Sequence, residues 1–238
     1  PPTAADDLAE AARMRLVTAN VRASNNDIDA LAAWLAEQAP DVVVVVEVSR
    51  AWAAALEGPG YAAWPHRVIE EGGVDGIAVL SREPLRDAEV LLPSALGPPI
   101  IDATTSVQGC DVRVVGLHAW PPASPALHGG RDALIGRVAA RLGPDANAVV
   151  AGDWNAPLQA RVLRSFAAST DLVDAARGRW RRTTWMPWLG PLGLDLDRVF
   201  APAMWQVDTL VTGPRIGSDH LPLLVDLLIP RSGCLSAD

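Results

Sequence analysis

Val42-Val43-Val44-Val45-Val46-Glu47 is the stretch on which the fold turns. Five consecutive β-branched residues favour an extended strand, and successive side chains of a strand point to opposite faces. Valine on both faces predicts a central strand covered on both sides. Glu47 ends the run. An ionised carboxylate there is costly unless it holds a cation or a charged partner, or reaches water at the strand's C-terminal tip.

Working outward, Asp27 is the N-cap expected for a helix with Ile28, Leu31, Ala32, Leu35 and Ala36 on one face, stopped by Pro40-Asp41. A strand at Met14–Val21 precedes it and a short helix at Ser49–Leu56 follows the valines. Further strands are expected at Tyr61–Val68, Gly76–Ser81, Ala88–Leu92, Ile100–Val107 and Asp111–His118, the last two joined by a Gln108-Gly109 turn. Residues 124–142 read as an amphipathic helix, Ala148–Ala151 as a short buried strand and Pro157–Ala168 as a helix. A loop rich in Trp, Arg and Pro spans 177–195, before strands at Leu196–Phe200, Gln206–Val211 and Leu221–Leu228. Strands outnumber helices, and hairpins mix with strand–helix–strand units. Two mixed sheets packed together, with helices outside, satisfy that pattern. The expected organisation is an arm at 1–13, one domain at 14–229 and a frayed tail at 230–238.

Half of the 238 residues are hydrophobic and 20% are charged, which excludes disorder for the bulk of the chain. No apolar run approaches the roughly 18 residues of a membrane span. The net charge is −8, and all 20 basic residues are Arg. That balance argues against an extended phosphate-backbone binder, while leaving room for a local Arg cluster such as Arg177, Arg179, Arg181 and Arg182. Cys110 and Cys234 fit no metal spacing; a disulfide and two free thiols are both open.

Polar clusters stand at the ends of the expected strands: Asn20, Glu47, His118, Gly152-Asp153-Trp154-Asn155, Asp195-Leu196-Asp197-Arg198, and Gly217-Ser218-Asp219-His220. Strand ends are where such scaffolds place a site. Together and in this order, from about Arg15 to Leu228, the clusters resemble the endonuclease/exonuclease/phosphatase superfamily, the DNase I-like proteins. The resemblance implies an α/β fold, a four-layer α/β/β/α sandwich of two mixed sheets. It also implies hydrolysis of a phosphate ester with a divalent metal, Mg²⁺ with Mn²⁺ as substitute.

Carried over residue by residue, the resemblance makes Glu47, Asn20 and Asp219 the metal-binding group. Asp153 positions or deprotonates the attacking water, Asn155 donates to the phosphoryl group, and His118 stabilises phosphate charge. His220 contacts phosphate or acts as base, and Asp197 orients it. Asp75 falls where some family nucleases carry an acidic partner for His118, and it joins the expected substrate contacts. Arg198 departs from the aromatic residue or His common there; it is expected as a phosphate ligand or as a partner of Asp195. Metal, oriented water and donors around phosphorus are what phosphate-ester hydrolysis needs.

The nine Trp suggest the substrate. Trp34 and Trp52 sit on helix faces and read as core. Trp120, Trp154, Trp180, Trp185, Trp188 and Trp205 lie in or beside the motif-bearing loops, and Trp120, Trp185 and Trp188 are expected at the rim of the site. Interleaved Trp and Arg can stack on bases or seat at a membrane interface. The acidic balance favours the second. The chain resembles most the family's bacterial membrane-anchored members, the teicoplanin-resistance type. That subgroup implies an extracytoplasmic enzyme, anchored upstream of Pro1, acting on a lipid-linked phosphate of the cell envelope; a secreted enzyme is the alternative location, and a monomer is expected. A metal-dependent nuclease is the alternative.

Overall fold

The computed structural model describes residues 10–92, 97–144, 146–179 and 183–234. The chain runs β1 (Ala12–Asn20), α1 (Ile28–Gln38), β2 (Val42–Val46), α2 (Arg50–Leu56), β3 (His66–Glu70), β4 (Ile77–Ser81), β5 (Arg86–Leu91), β6 (Ile100–Val107), β7 (Cys110–His118), α3 (Pro125–Leu142), β8 (Ala148–Asp153), α4 (Arg161–Thr170), β9 (Leu172–Asp174), β10 (Asp197–Pro202), β11 (Gln206–Thr212) and β12 (Leu223–Ile229). The strands form two six-stranded sheets, ordered β11-β12-β1-β2-β4-β3 and β5-β6-β7-β8-β10-β9. Each sheet is mixed: β1 and β2 are parallel in the first, β7 and β8 in the second. Helices cover both outer faces, giving the four-layer α/β/β/α sandwich.

The valine run explains the layering. Val42, Val44 and Val46 point between the sheets, where they meet Val112, Val114, Val149 and Val199. Val43 and Val45 point outward against Leu31 and Leu35 of α1 and Trp52 of α2. A third core lies under α3 and α4, where Trp154, Phe166 and Phe200 pack with ring centroids 4.7–5.1 Å apart. Burying a side chain of this size contributes about 1.5–3 kcal/mol.

This topology collects the strand ends that matter. The C-terminal ends of the parallel pairs, Asn20 beside Val46 and His118 beside Asp153, lie at one edge of the sandwich. Antiparallel β10 begins at Asp197 directly opposite Asp153. Antiparallel β12 begins just after His220, alongside the end of β1.

Several expected boundaries differ. Tyr61 ends a 3-10 turn opened by Pro59, and β3 starts after Pro65, which has no N–H for a ladder. β9 is too short to read from a sequence pattern. β1 begins at Ala12, two residues ahead of the strand expected from Met14. The tail is tied down through Cys234, which forms a disulfide with Cys110 at the start of β7. Trp180, Arg181 and Arg182 lie outside the described residues.

The expected membrane anchor, cell-envelope location and lipid-phosphate partner are corrected here. Among the described residues no helix is long and apolar enough to cross a membrane. Two of the six loop indoles, Trp154 and Trp205, are core residues with no surface to offer a bilayer.

Candidate active site

Asp153, at the tip of β8, is buried at the centre of the site. Its Oδ2 accepts from Asn20 Nδ2 at 3.1 Å and from Asn155 Nδ2 at 3.3 Å, and its Oδ1 accepts from the Asn155 N–H at 2.8 Å. Two imidazoles close on the same oxygen: His118 Nε2 at 3.8 Å and His220 Nε2 at 3.7 Å. The backbone is shaped for this. Gly152 has φ 147°, and a Cβ there would lie 1.8 Å from the Leu117 carbonyl oxygen, so only glycine fits. Asn155 takes φ 45° and Glu47 φ 64°, left-handed conformations that side-chain-bearing residues hold at a cost, often beside function.

Glu47 turns off the tip of β2 into the cleft. Its Oε1 accepts from Asn20 Nδ2 at 2.9 Å and its Oε2 from the Ala23 N–H at 3.0 Å. Asn20 thus bridges two carboxylates, one from each sheet, while its own Oδ1 accepts from the Arg22 N–H. Asn20 is buried behind Glu47 and Asp153, not at the cleft surface.

His220 Nδ1 donates to Asp197 Oδ2 at 2.8 Å. Burial disfavours the charged ring, but the carboxylates of Asp197 and Asp153 outweigh it and push the imidazole up to about 10. Burial also raises the Asp197 carboxyl, against the pull of His220. The pair therefore retains a proton through neutral pH. Thr184, unremarked in the sequence, supports it: its hydroxyl oxygen accepts from the Leu196 and Asp197 N–H groups. Backbone bonds from Met186 to Asp219 and from Leu221 to Thr184 pin the segment carrying His220.

Glu47, Asp75, His118, Trp120, Asp153, Asn155, Trp185, Asp219 and His220 line one cleft of about 590 Å³. Pro121, Pro122, Pro157, Leu194 and Leu196 give it apolar walls. Trp185 Nε1 donates to Asp219 Oδ2 at 3.2 Å, and Trp120 Nε1 to Asp75 Oδ1 at 3.0 Å. Asp75 is therefore engaged by an indole, not by His118, whose buried Nδ1 has no hydrogen-bond partner. Arg198 is not brought to the cleft. Neighbours on a strand face opposite ways, and its guanidinium is buried on Asp174 at 2.6 Å and on the Asp195 carbonyl at 2.7 Å. Trp188 stands outside the cleft, half exposed, with Arg215 over its ring at 5.6 Å. Arg22, also unremarked in the sequence, reaches to 4.0 Å from Asp219; a cation two residues past the strand-end Asn20 was its only signal.

Asp153, Asp197 and His220 present ligand atoms within 4.8 Å of one another, a buried cluster able to coordinate a divalent cation. Within it Asp197 and His220 hydrogen-bond to each other while Asp197 Oδ1 has no partner, and Glu47 is joined to Asp153 through the Asn20 amide. Carboxylate oxygens, with water to complete the shell, fit Mg²⁺ or Mn²⁺. That chemistry serves a hydrolase.

Comparison with known proteins agrees. The sequence profile of the Endonuclease/Exonuclease/phosphatase family matches residues 17–220. No curated protein matches the sequence closely enough to count as a relative. Among solved structures, the chain is similar to an endonuclease/exonuclease/phosphatase from Beutenbergia cavernae DSM 12333, at 24% identity and a TM-score of 0.77, covering 91% of this chain and 72% of that one. It is similar to D. rerio TDP2 complexed with single strand DNA product, at 17% identity and a TM-score of 0.73, covering 90% and 98%. It is also similar to sphingomyelinase C from Streptomyces griseocarneus, at 19% identity and a TM-score of 0.65, covering 90% and 99%. These likenesses carry the fold and do not extend to the teicoplanin-resistance subgroup. On the profile match and the architecture together, the chain belongs to the endonuclease/exonuclease/phosphatase family.

Proposed function

We propose that the protein is a metal-dependent nuclease that hydrolyses phosphodiesters of single-stranded nucleic acid. The observation that carries this is the convergence of His118 Nε2, His220 Nε2 and two asparagine amides on Asp153, next to Glu47, on the floor of an open cleft. Glu47 and Asp153 would hold the Mg²⁺ or Mn²⁺, and Asp219 lines the same cleft. When bound, the cation supplies charge stabilisation at the phosphoryl oxygens.

The protein's own residues do the rest. Asp153, fixed by the Asn155 N–H and the Asn20 amide, orients a water for attack. His220 has Asp197 behind it and donates from Nε2, which suits an imidazolium facing a developing negative charge. His118 donates from the other side. Asn20 keeps the two carboxylates from repelling each other.

The substrate class rests on three supports. The solved TDP2 structure of the same fold holds a single strand DNA product. Trp120 and Trp185 line the cleft, and indoles stack on bases of any sequence. The charge of −8 disfavours a long duplex but not a strand that places few phosphates on the protein.

The test is hydrolysis of single- and double-stranded oligonucleotides and of a small chromogenic diester, with Mg²⁺, Mn²⁺ or chelator. The expected result is cation-dependent cleavage with the single strand preferred. His220→Ala should lower kcat by about 10²–10⁴, the range for losing a positioned acid–base group. Cleavage untouched by chelator, or by His220→Ala, would overturn the proposal.

A further inference from the structure

Beside the catalytic cleft runs a second groove, of about 340 Å³, between α4 and the segment that follows β9. Its floor is apolar, with Leu158, Leu163, Leu172 and Phe200. Three arginines line it: Arg164 from α4, and Arg177 and Arg179 from the turn after β9. We propose that this groove is an extended subsite for single-stranded nucleic acid, with the arginines on backbone phosphates and the bases on the apolar floor. The proposal rests on the nuclease function above and deepens it.

Charge is the first argument. Arg15, Arg86, Arg113, Arg141 and Arg198 each sit on a carboxylate, while Arg67, Arg82 and Arg215 turn to carbonyls or indole rings at scattered places; what sets the next three apart is that they share one groove. Among the described residues, Arg164, Arg177 and Arg179 form no ion pair. Arg164 donates to the Gln159 carbonyl and Arg179 to the Val207 carbonyl, contacts that hold the side chains without neutralising them. The one carboxylate in the groove, Asp174, is committed to Arg198 at 2.6 Å. A protein of net charge −8 thus keeps three exposed positive charges on one groove.

Continuity is the second argument. Pro157 lines the cleft and the next residue, Leu158, lines the groove, where it is 50% exposed. The two concavities therefore adjoin at Pro157-Leu158. Alternating phosphates and flat apolar bases match arginines around an apolar floor, the combination by which single strands are held. A duplex hides its bases and has no use for the floor.

The experiment compares wild type with the triple variant Arg164→Ala/Arg177→Ala/Arg179→Ala and with the triple Lys variant. Substrates are single-stranded oligodeoxynucleotides of increasing length and the small chromogenic diester, across a salt series. Each phosphate contact on a single strand adds about 0.7 to the salt slope, so losing three should lower the slope of log KM against log salt by about 2. KM on long oligonucleotides should rise about tenfold or more at low salt, from the same loss of phosphate contacts. The Lys variant should regain most of the slope. Turnover of the small diester should be the same in all three proteins, which also shows that they fold. An unchanged slope and length dependence in the Ala variant, with wild type cleaving DNA, would overturn the subsite alone. Competition by an acidic peptide as effective as by an oligonucleotide would also overturn it. Wild type that cleaves the small diester and no oligonucleotide would instead overturn the nuclease function.

Discussion

Asp153 takes two amides and faces two imidazoles, so its neighbours are better defined by it than by their own positions. The residues legible in the sequence were those at strand tips: a carboxylate after five valines or after Val149-Val150-Ala151 has few structural reasons to be there. Asp75 and a phosphate role for Arg198 were less legible for a physical reason, while the expected partnership of Arg198 with Asp195 holds, at 3.5 Å. Side-chain partners are chosen in three dimensions, where the Trp120 indole claims Asp75 and strand alternation turns Arg198 away from Asp197. The Asp197–His220 pair gives a prediction of sign. A His raised to about 10 in the folded protein contributes stability that is fully present below its unfolded value of about 6.5 and lost as pH rises through 10. The upward shift of Asp197 acts in the same direction at lower pH. Chelator-treated wild type should therefore lose stability in denaturant titrations between pH 7 and 10, and Asp197→Asn should flatten that decline. Wild-type stability that is level across the window would show that the pair holds no extra proton. In kinetics, His220→Ala and Asp197→Asn should not add in the double variant, because the two act as one unit.

Elements bring these residues together, and the parallel pair β7–β8 does most to place them. It is closed by Gly152, whose φ of 147° and contact with the Leu117 carbonyl leave no room for a side chain. Gly152→Ala should destabilise the fold by about 2–3 kcal/mol in urea unfolding, the upper part of the range for point changes. It should also lower kcat at temperatures where the variant is still folded, because His118 and Asp153 share this register. Retained kcat would mean that the pair tolerates a shift. Long elements with a clear period were readable, such as the valines of β2 and the hairpin at Gln108-Gly109, where both turn residues have positive φ. β9 was not, because three residues carry no period, and its place is set by pairing with β10. The Cys110–Cys234 bridge is another element-scale device, tying the segment after β12 to the start of β7 across 124 residues. Its reduction should cost about 2–4 kcal/mol by restoring freedom to the unfolded chain. The bridge joins residues away from the cleft lining, so kcat should not change. A fall in kcat on reduction, in protein that remains folded, would link the bridge to the site.

At the scale of the whole molecule, the site belongs to neither sheet. Glu47, Asn20 and Asp219 come from the β1–β2–β12 side, and His118, Asp153 and Asp197 from the β7–β8–β10 side. The two halves meet only when the inter-sheet core of Val44, Val46, Val114 and Val149 is packed. Cation binding between Glu47 and Asp153 would therefore report on the packing of the sandwich as much as on the site. A ligand that binds only the folded state stabilises it by RT ln(1 + [L]/Kd), about 2.7 kcal/mol at a hundred times Kd. Mg²⁺ or Mn²⁺ should raise the midpoint of thermal unfolding of wild type in a concentration-dependent way. Glu47→Gln removes the charge and keeps an oxygen for the Ala23 N–H but sets its amide against the Asn20 amide, so it should fold with a somewhat lower midpoint in chelator and show little of the rise. Since Asp153 remains, some residual binding at high cation concentration is expected, shifted by at least about tenfold in Kd, or about 1.4 kcal/mol. Calorimetric titration of the same two proteins separates the cases. Equal affinity in both would place the cation elsewhere, on the Asp153–Asp197–His220 side alone. In that event His220→Ala, and not Glu47→Gln, would abolish the thermal shift.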